Sequence, residues 1–297
     1  MKLLATHITR YWYSEPVSMC HTQAHLTPRA CPNQTLLEYE FKVSPYPGSI
    51  NSHKDYFGNE VTSFSVAEPH RELIVTSRSL AELRPPVPAD LDQSAPWEQL
   101  RDKIFERNRP EAFEAGQFIF ESPLIRVGDP FRAYAAVSFP DGRPFLAGVN
   151  DLSRRIFSEF RYDQRATTVT TPVDEVFGSR RGVCQDFAHL MIACLRSLGL
   201  PARYVSGYIR TGEHFVGAEA SHAWVSAWCP VLGWQDFDPT NNARPKGEHF
   251  TLAWGRDYSD VTPVKGVALG GGEQVISVSV DVSPINGAGG SQQTSIL

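Results

Sequence analysis

Apolar and polar positions alternate along much of the first eighty residues, the two-residue period of a half-buried strand. In LLEYEFKV (36–43), Leu37, Tyr39, Phe41 and Val43 face one way and Glu38, Glu40 and Lys42 the other. DYFGNEVTSFSV (55–66) carries a Gly58-Asn59 turn between strands, and LIVTSRSL (73–80) adds another strand. RPPVPADLDQSAP (84–96) then places four prolines where neither helix nor ladder can persist. Beyond it the period becomes helical. Val149, Leu152, Ile156, Phe157 and Phe160 share one stripe, as do Phe187, Met191, Cys194, Leu195 and Leu198, with Gly199 and Pro201 ending the second helix. Strands return at RYVSGYIR (203–210), HAWVSAWC (222–229), WQDFD (234–238) and QVISVSVDV (274–282), the last alternating Ile276, Val278, Val280 and Val282 against Ser277, Ser279 and Asp281.

These elements predict an α+β chain: a β-rich N-terminal domain over 1–84, a proline-rich linker over 85–96, a second domain over 97–282 and a flexible tail over 283–297. The length of 297 residues suits two domains, and 41% apolar residues suffice for a proper core. A net charge of −5 with interspersed signs offers no basic face for nucleic acid or anionic membrane. MKLLATHITRYWY does not read as a signal peptide, and no later run is long enough to span a bilayer. Five scattered cysteines, an odd number, argue against a disulfide framework, so the expected compartment is a reducing cytoplasm.

The stretch GVCQDFAHL (182–190) changes the picture. It sets Cys184 at the first turn of a helix, where unpaired N–H groups and the helix dipole favour a thiolate, and Gly182 frees the chain to turn into it. The alternative for Cys184 is a small buried hydrophobe, which is how Cys194, on the core stripe, and Cys229, at a strand end, are read. A cysteine nucleophile needs an imidazole, and the imidazole needs a partner to hold its tautomer. SHAWVSAWCPVLGWQDFDPT (221–240) reads as a hairpin that offers both. If 228 pairs with 232, His222 lies opposite Asp238; if 228 pairs with 234, the two are diagonal neighbours. Either register puts them on one face. Asp186 suits the first helical turn whatever the chemistry, and His189, about 140° around the helix from Cys184, points away from it.

GVCQDFAHLMIACLRSLGLPARYVSGY, SHAWVSAW and GWQDFDPT, in that order, resemble the transglutaminase-like core. DYFGN and GRDYSDVTPVKGV are similar to a bacterial subgroup with an extra β-rich N-terminal domain, often described as transglutaminase-like cysteine proteases. The resemblance implies a papain-like fold, a nucleophile helix packed on an antiparallel sheet. It implies Cys184 as nucleophile, His222 as general base and acid, Asp238 as the group orienting His222, and no cofactor or metal. Papain itself has a glutamine six residues before the nucleophile for the oxyanion; here that position is Gly178. The oxyanion donors expected instead are the Cys184 backbone N–H and, from its place upstream in EFRYDQ, Tyr162, with Gln185 a poorer candidate. Trp224 and Trp228 share the face of His222 and are candidates to wall a substrate cleft, packing being the alternative.

The implied reaction is acyl transfer on a peptide or protein amide through a thioester, leaning to hydrolysis, with amine transfer and a silent binding or assembly module of the same fold as alternatives. A metalloenzyme is set aside because His214 and His222 are eight apart, His249 is distant and neither HExxH nor CxxC occurs.

Overall fold

The computed structural model describes residues 1–104, 110–210, 215–217 and 220–285. Its organising strand is β1 (Lys2–Ala24), which is long enough to serve two sets of neighbours. Its first half pairs with β5 (His70–Leu83) on one edge and β13 (Gln274–Pro284) on the other. Its second half pairs with β4 (Glu60–Val66) and β12 (Val264–Gly270). β2 (Gln34–Ser44) extends β5, and β3 (Ser49–Lys54) extends β4.

The alternation expected of β2 holds for Phe41 and Val43, which are half-buried against the core, and for Tyr39, which is half-buried, but Leu37 is exposed. A bulge between Leu36 and Glu38 takes it off that face. The C-terminal boundary also differs from the expectation. Strands β12 and β13, placed by sequence in the 97–282 unit, complete the N-terminal sheet instead. Val280 and Val282 are buried there, whereas Ile276 and Val278, on the same outer strand, are exposed. Ser283 and Pro284, assigned to the tail, are the end of β13; the tail positions 286–297 and His214 lie outside the described residues.

The second sheet has the order β10 (Gly233–Phe237), β9 (His222–Cys229), β8 (Ala202–Ile209) and β11 (His249–Gly255), antiparallel throughout. Helices α1 (Trp97–Lys103), α2 (Pro110–Gly116), α3 (Asp129–Ala136), α4 (Phe145–Glu159) and α5 (Val173–Ser179) precede α6 (Cys184–Ser197), which packs on β8 and β9. A short parallel pair, β6 (Arg161–Tyr162) and β7 (Arg181–Gly182), leads into α6. In α4, Val149, Leu152 and Ile156 are fully buried, but Phe157, one residue round the helix, is exposed and Phe160 is already past its end. In α6 every residue is buried, so the predicted stripe is only part of what faces protein. Its polar members are paired: the Arg196 guanidinium donates to the carbonyls of Ala202, Phe120 and Arg256. Gly199, at φ +76°, closes the helix as expected, with Leu200 N–H returning to Leu195 O.

The proline segment is strapped down rather than free. Ala89, Leu91 and Ala95 pack on the core, and the Ser94 hydroxyl accepts the N–H of Leu146. Two buried amides join the sheets. Gln34 donates Nε2–H to Thr251 O (2.7 Å) and accepts Thr251 N–H (2.8 Å). Asn59 does the same for Trp254 (2.9 and 3.0 Å). They stand in for a neighbouring strand along the open edge of β11 on either side of its bulge. Asn59 is itself held by Asp55, whose carboxylate accepts the N–H groups of Phe57 and Asn59 and the Asn59 amide; the DYFGN turn is thus a clasp between the sheets. One continuous apolar cluster runs from Leu3 and Val282 to Ala227 and Phe237. Among the described residues no helix is long and apolar enough to cross a membrane.

Candidate active site

Cys184 is the first residue of α6, and only 9% of its surface is exposed. The first N–H groups of a helix have no partner within it, so this position gathers positive potential beside the sulfur. The start of the helix is fixed by its own first-turn side chains, which hold the preceding segment. Asp186 Oδ2 accepts Val183 N–H (2.8 Å) and the Thr167 hydroxyl (2.6 Å), and Gln185 Nε2 donates to Val169 O (3.0 Å). Burial pushes the Asp186 carboxyl up, against the lowering effect of those two donors. Gly182 is needed for space rather than for freedom to turn: a Cβ there would lie 2.6 Å from Asp186 Oδ2 and 2.8 Å from Asp186 Cβ. Gln185 is spent on the loop carbonyl.

The hairpin adopts the second of the two registers. Trp228 pairs with Trp234 and Val225 with Phe237, which makes His222 and Asp238 diagonal neighbours. Their hydrogen bond, His222 Nε2 to Asp238 Oδ2, is 2.8 Å long, and both side chains are fully buried. An ionised carboxylate only accepts, so Nε2 carries the proton and Nδ1 is left for another partner. Among the described residues Nδ1 has no hydrogen-bond partner of good geometry. The Cys184 thiol is nevertheless close enough to act on the ring through a hydrogen bond and its charge. The thiol itself lies 4.0 Å from the carbonyl oxygen of Ser221, the residue before His222. Burial pushes the His222 ring down, but the charge and hydrogen bond of Asp238, followed by those of Cys184, raise it to about 10. Burial likewise pushes the Asp238 carboxyl up, and His222 and His249 outweigh it, holding the group well below the usual carboxylate range.

Two neighbours of Asp238 were not singled out as site residues in the sequence. His249 Nε2 donates to Oδ2 at 3.1 Å, so the histidine dismissed as distant lies within the site. Asn241 Nδ2 donates to the same oxygen at 2.9 Å, and its Oδ1 accepts Val216 N–H (2.8 Å), tying the 215–217 segment to the carboxylate. The thiol's charge also reaches Tyr204 and Tyr258; burial first, and the thiol among the lesser causes, push both phenols up. Tyr258 belongs to the GRDYSDV run, and its N–H donates to His189 Nε2 (3.2 Å). His189 therefore acts as a buried neutral acceptor, lowered to about 4 chiefly by burial. The only available sequence signal for Tyr258 and His249 was their place in or near that run.

Tyr162 sits in the β6–β7 pair opposite Gly182. A Cβ built on Gly217 would lie 3.2 Å from His222 Nδ1 and 3.5 Å from the Tyr162 hydroxyl, so that hydroxyl is on the Nδ1 side of the ring. Trp224 corrects the expectation of a cleft wall. It is fully buried, 6.3 Å from His222 and 5.1 Å from His249 between ring centroids, and underlies both histidines. Trp228 packs with Ile104, Ala112 and Ala115. Cys194 is fully buried and its thiol is pushed up by burial, in keeping with a structural role; Cys229 is buried as well.

His222, Asp238 and His249 could also be viewed as metal ligands, because one donor atom of each lies within 4.8 Å of the others. Metal-bound imidazoles give their second N–H to a carboxylate or carbonyl, and here Nδ1 of both rings has no such partner among the described residues. The donor set fits a hydrogen-bonded carboxylate better. A separate cavity of about 580 Å³ beside the N-terminal sheet, lined in part by His25, Asp55, Tyr56, Phe120 and Arg256, includes none of these site residues, and its Asp55 and Arg256 already have partners.

Residues 4–82 match the bacterial transglutaminase-like N-terminal region, and residues 138–239 match the transglutaminase-like superfamily. The chain belongs to the transglutaminase-like superfamily. A Mycobacterium tuberculosis protein of uncharacterised function is 38% identical over 95% of this chain and 92% of its own. A Pseudomonas aeruginosa protein-glutamine gamma-glutamyltransferase is 33% identical over 105 residues, which are 31% of this chain and 16% of that one. A Cytophaga hutchinsonii crystal structure, of a candidate cysteine protease, shares the fold with a TM-score of 0.76 at 19% identity, covering 98% of this chain and 92% of that one. In this transglutaminase-like chain the matched core contains Cys184, His222 and Asp238, whereas Asn241, His249 and the GRDYSDV loop follow it.

Proposed function

We propose that this transglutaminase-like protein is a cysteine-dependent acyl-transfer enzyme acting on amide bonds of peptides or proteins. The observation that carries the reading is the buried 2.8 Å bond from His222 to Asp238 beside a thiol at the start of a helix. With the thiol's proton already held on His222 Nδ1, the Cys184 sulfur attacks the amide carbonyl carbon, forming a C–S bond. Charge developing on the carbonyl oxygen is met by the Cys184 backbone N–H and by the Tyr162 hydroxyl. His222, now an imidazolium steadied by Asp238, protonates the amide nitrogen. The C–N bond breaks and an amine leaves a thioester behind. Water, deprotonated by the same ring, then attacks the thioester and releases a carboxylate and the thiol.

Hydrolysis is the reading preferred here. Amine transfer is the second, favoured by the 105-residue likeness to the Pseudomonas glutamyltransferase. The two differ only in the nucleophile admitted to the thioester. Incubation with a peptide library and a primary-amine probe separates them, since new termini report hydrolysis and amine adducts report transfer. A silent module of the same fold is tested by iodoacetamide. Rapid alkylation of Cys184 near neutral pH, lost in His222→Ala, supports the enzyme, and alkylation no faster than that of a free thiol overturns it.

A further inference from the structure

We propose that His249 is a positioning residue which, by sharing one oxygen of Asp238 with His222, limits how tightly that carboxylate holds the His222 proton. The inference rests on the acyl-transfer reading above. His249 is buried to 2% side-chain exposure at the first position of β11, paired with Ile209. Its ring lies edge-on to Trp224 at 5.1 Å and to Phe215 at 6.1 Å. A buried imidazole is costly unless it is hydrogen-bonded. Here Nδ1 has no partner among the described residues, and Nε2 donates to Asp238 Oδ2. Packing alone does not call for a polar ring at that place.

The consequence follows from competition for one acceptor. Oδ2 receives His222 at 2.8 Å, Asn241 Nδ2 at 2.9 Å and His249 at 3.1 Å. Each donor draws charge from the oxygen and leaves less for the others. Among the described residues, the polar and ionisable groups facing His222 are Cys184 from α6, Tyr162 from β6, Asp238 and Asn241 from the segment after β10, and His249 from β11. Asp238 is the anion among them that raises the ring most, so its strength as an acceptor decides how readily the imidazolium gives its proton to a leaving amine. A carboxylate with no competing donor would orient the ring equally well and release its proton more slowly.

The test uses full-length protein labelled with ¹⁵N-histidine. The Nε2–H resonance of His222 is assigned by its loss in His222→Ala. In His249→Phe, which keeps a ring against Trp224 and removes the donor, this resonance moves downfield and the His222 titration midpoint rises by about 0.5–1 pH unit. His249→Gln, which returns an N–H donor, brings both back towards the parent. On a peptide amide, His249→Phe lowers kcat by about tenfold with KM near that of the parent. A His222 midpoint that stays put or falls in a His249→Phe protein that melts like the parent overturns the assignment. Should His249→Phe not fold, His249→Met removes the same donor and is judged by the same outcomes. Alkylation of Cys184 in the parent and in His222→Ala tests the acyl-transfer reading separately. The His222 midpoint judges the role of His249 whether or not that alkylation is fast.

Discussion

Replacing Asp238 by asparagine exchanges one oxygen for an NH₂ group in a site where every neighbour is a donor. Oδ1 accepts the backbone N–H groups of Thr240 (2.9 Å) and Asn241 (3.2 Å), and Oδ2 accepts the side chains of His222, Asn241 and His249. Neither amide orientation leaves the new NH₂ an acceptor among these five. With the amide oxygen kept on the backbone pair, the NH₂ faces His222. The ring accommodates it only by moving its proton to Nδ1, and such a ring cannot take the thiol's proton. The charge acts in the same direction. The charge and hydrogen bond of Asp238 are the largest of the causes that raise His222 to about 10 against burial, so without them burial pulls the ring down. At pH 6 an unassisted thiol is less than about 1% thiolate, so Cys184 alkylation by iodoacetamide should slow there by about 100-fold. Amide turnover should fall by about 10³–10⁴. Intact-mass alkylation rates from pH 5 to 9, with melting curves for both proteins, check this. An Asp238→Asn protein that melts with the parent and alkylates within about tenfold of it at pH 6 refutes the reasoning.

Other substitutions separate the parts of the site. Gly182→Ala forces a methyl group onto Asp186 and should cost about 2–3 kcal/mol in chemical denaturation, with slower Cys184 alkylation. Gln34→Leu leaves the Thr251 N–H and C=O without partners, and a loss of about 2–4 kcal/mol measured by urea unfolding is expected; a loss below about 0.5 kcal/mol would show that the Gln34 bridge is not needed. Tyr162→Phe should lower kcat by about 10–100-fold with little change in KM, because the lost donor would act on the developing oxyanion rather than on the bound amide. For pH, the signs differ between histidines. His222 is raised, so the stability it contributes is fully present below pH 6.5 and is lost as pH rises through about 10. His7 and His189 are buried and lowered to about 4, so the unfolded chain binds more protons at these two sites as pH falls from 6.5 towards 4. That gap, at about 1.36 kcal/mol per unit, removes up to about 3 kcal/mol each. The melting temperature should therefore fall on both sides of neutrality, and His189→Gln should flatten the acid side while His222→Ala flattens the alkaline one.

The sequence by itself determined what one element can report about its own faces. The GVCQDFAHL run ended a turn and began a helix at Cys184, and hairpin parity put His222 and Asp238 on one face in either register, because side-chain direction repeats every two residues. Tertiary structure alone decided which register applied, that β11 lies beyond β8 rather than beside β9, and that His249 thereby meets Asp238 across the sheet. Periodicity does not encode sheet order, since any strand with an apolar face can pair with any other of matching pattern. For the same reason the alternation of residues 274–282 gives a strand but not its neighbour, and β13 pairs with β1 although the sequence places it in the 97–282 unit. Trp224 shares the parity of His222 and is equally buried, its ring reaching over Gly207 of β8 to His249 of β11, and only the packed layers reveal whether an aromatic ring faces a cleft or the core. A competition between donors for one buried carboxylate oxygen depends on separations of a few tenths of an ångström among segments far apart in the chain, and those exist only once the chain has closed around them.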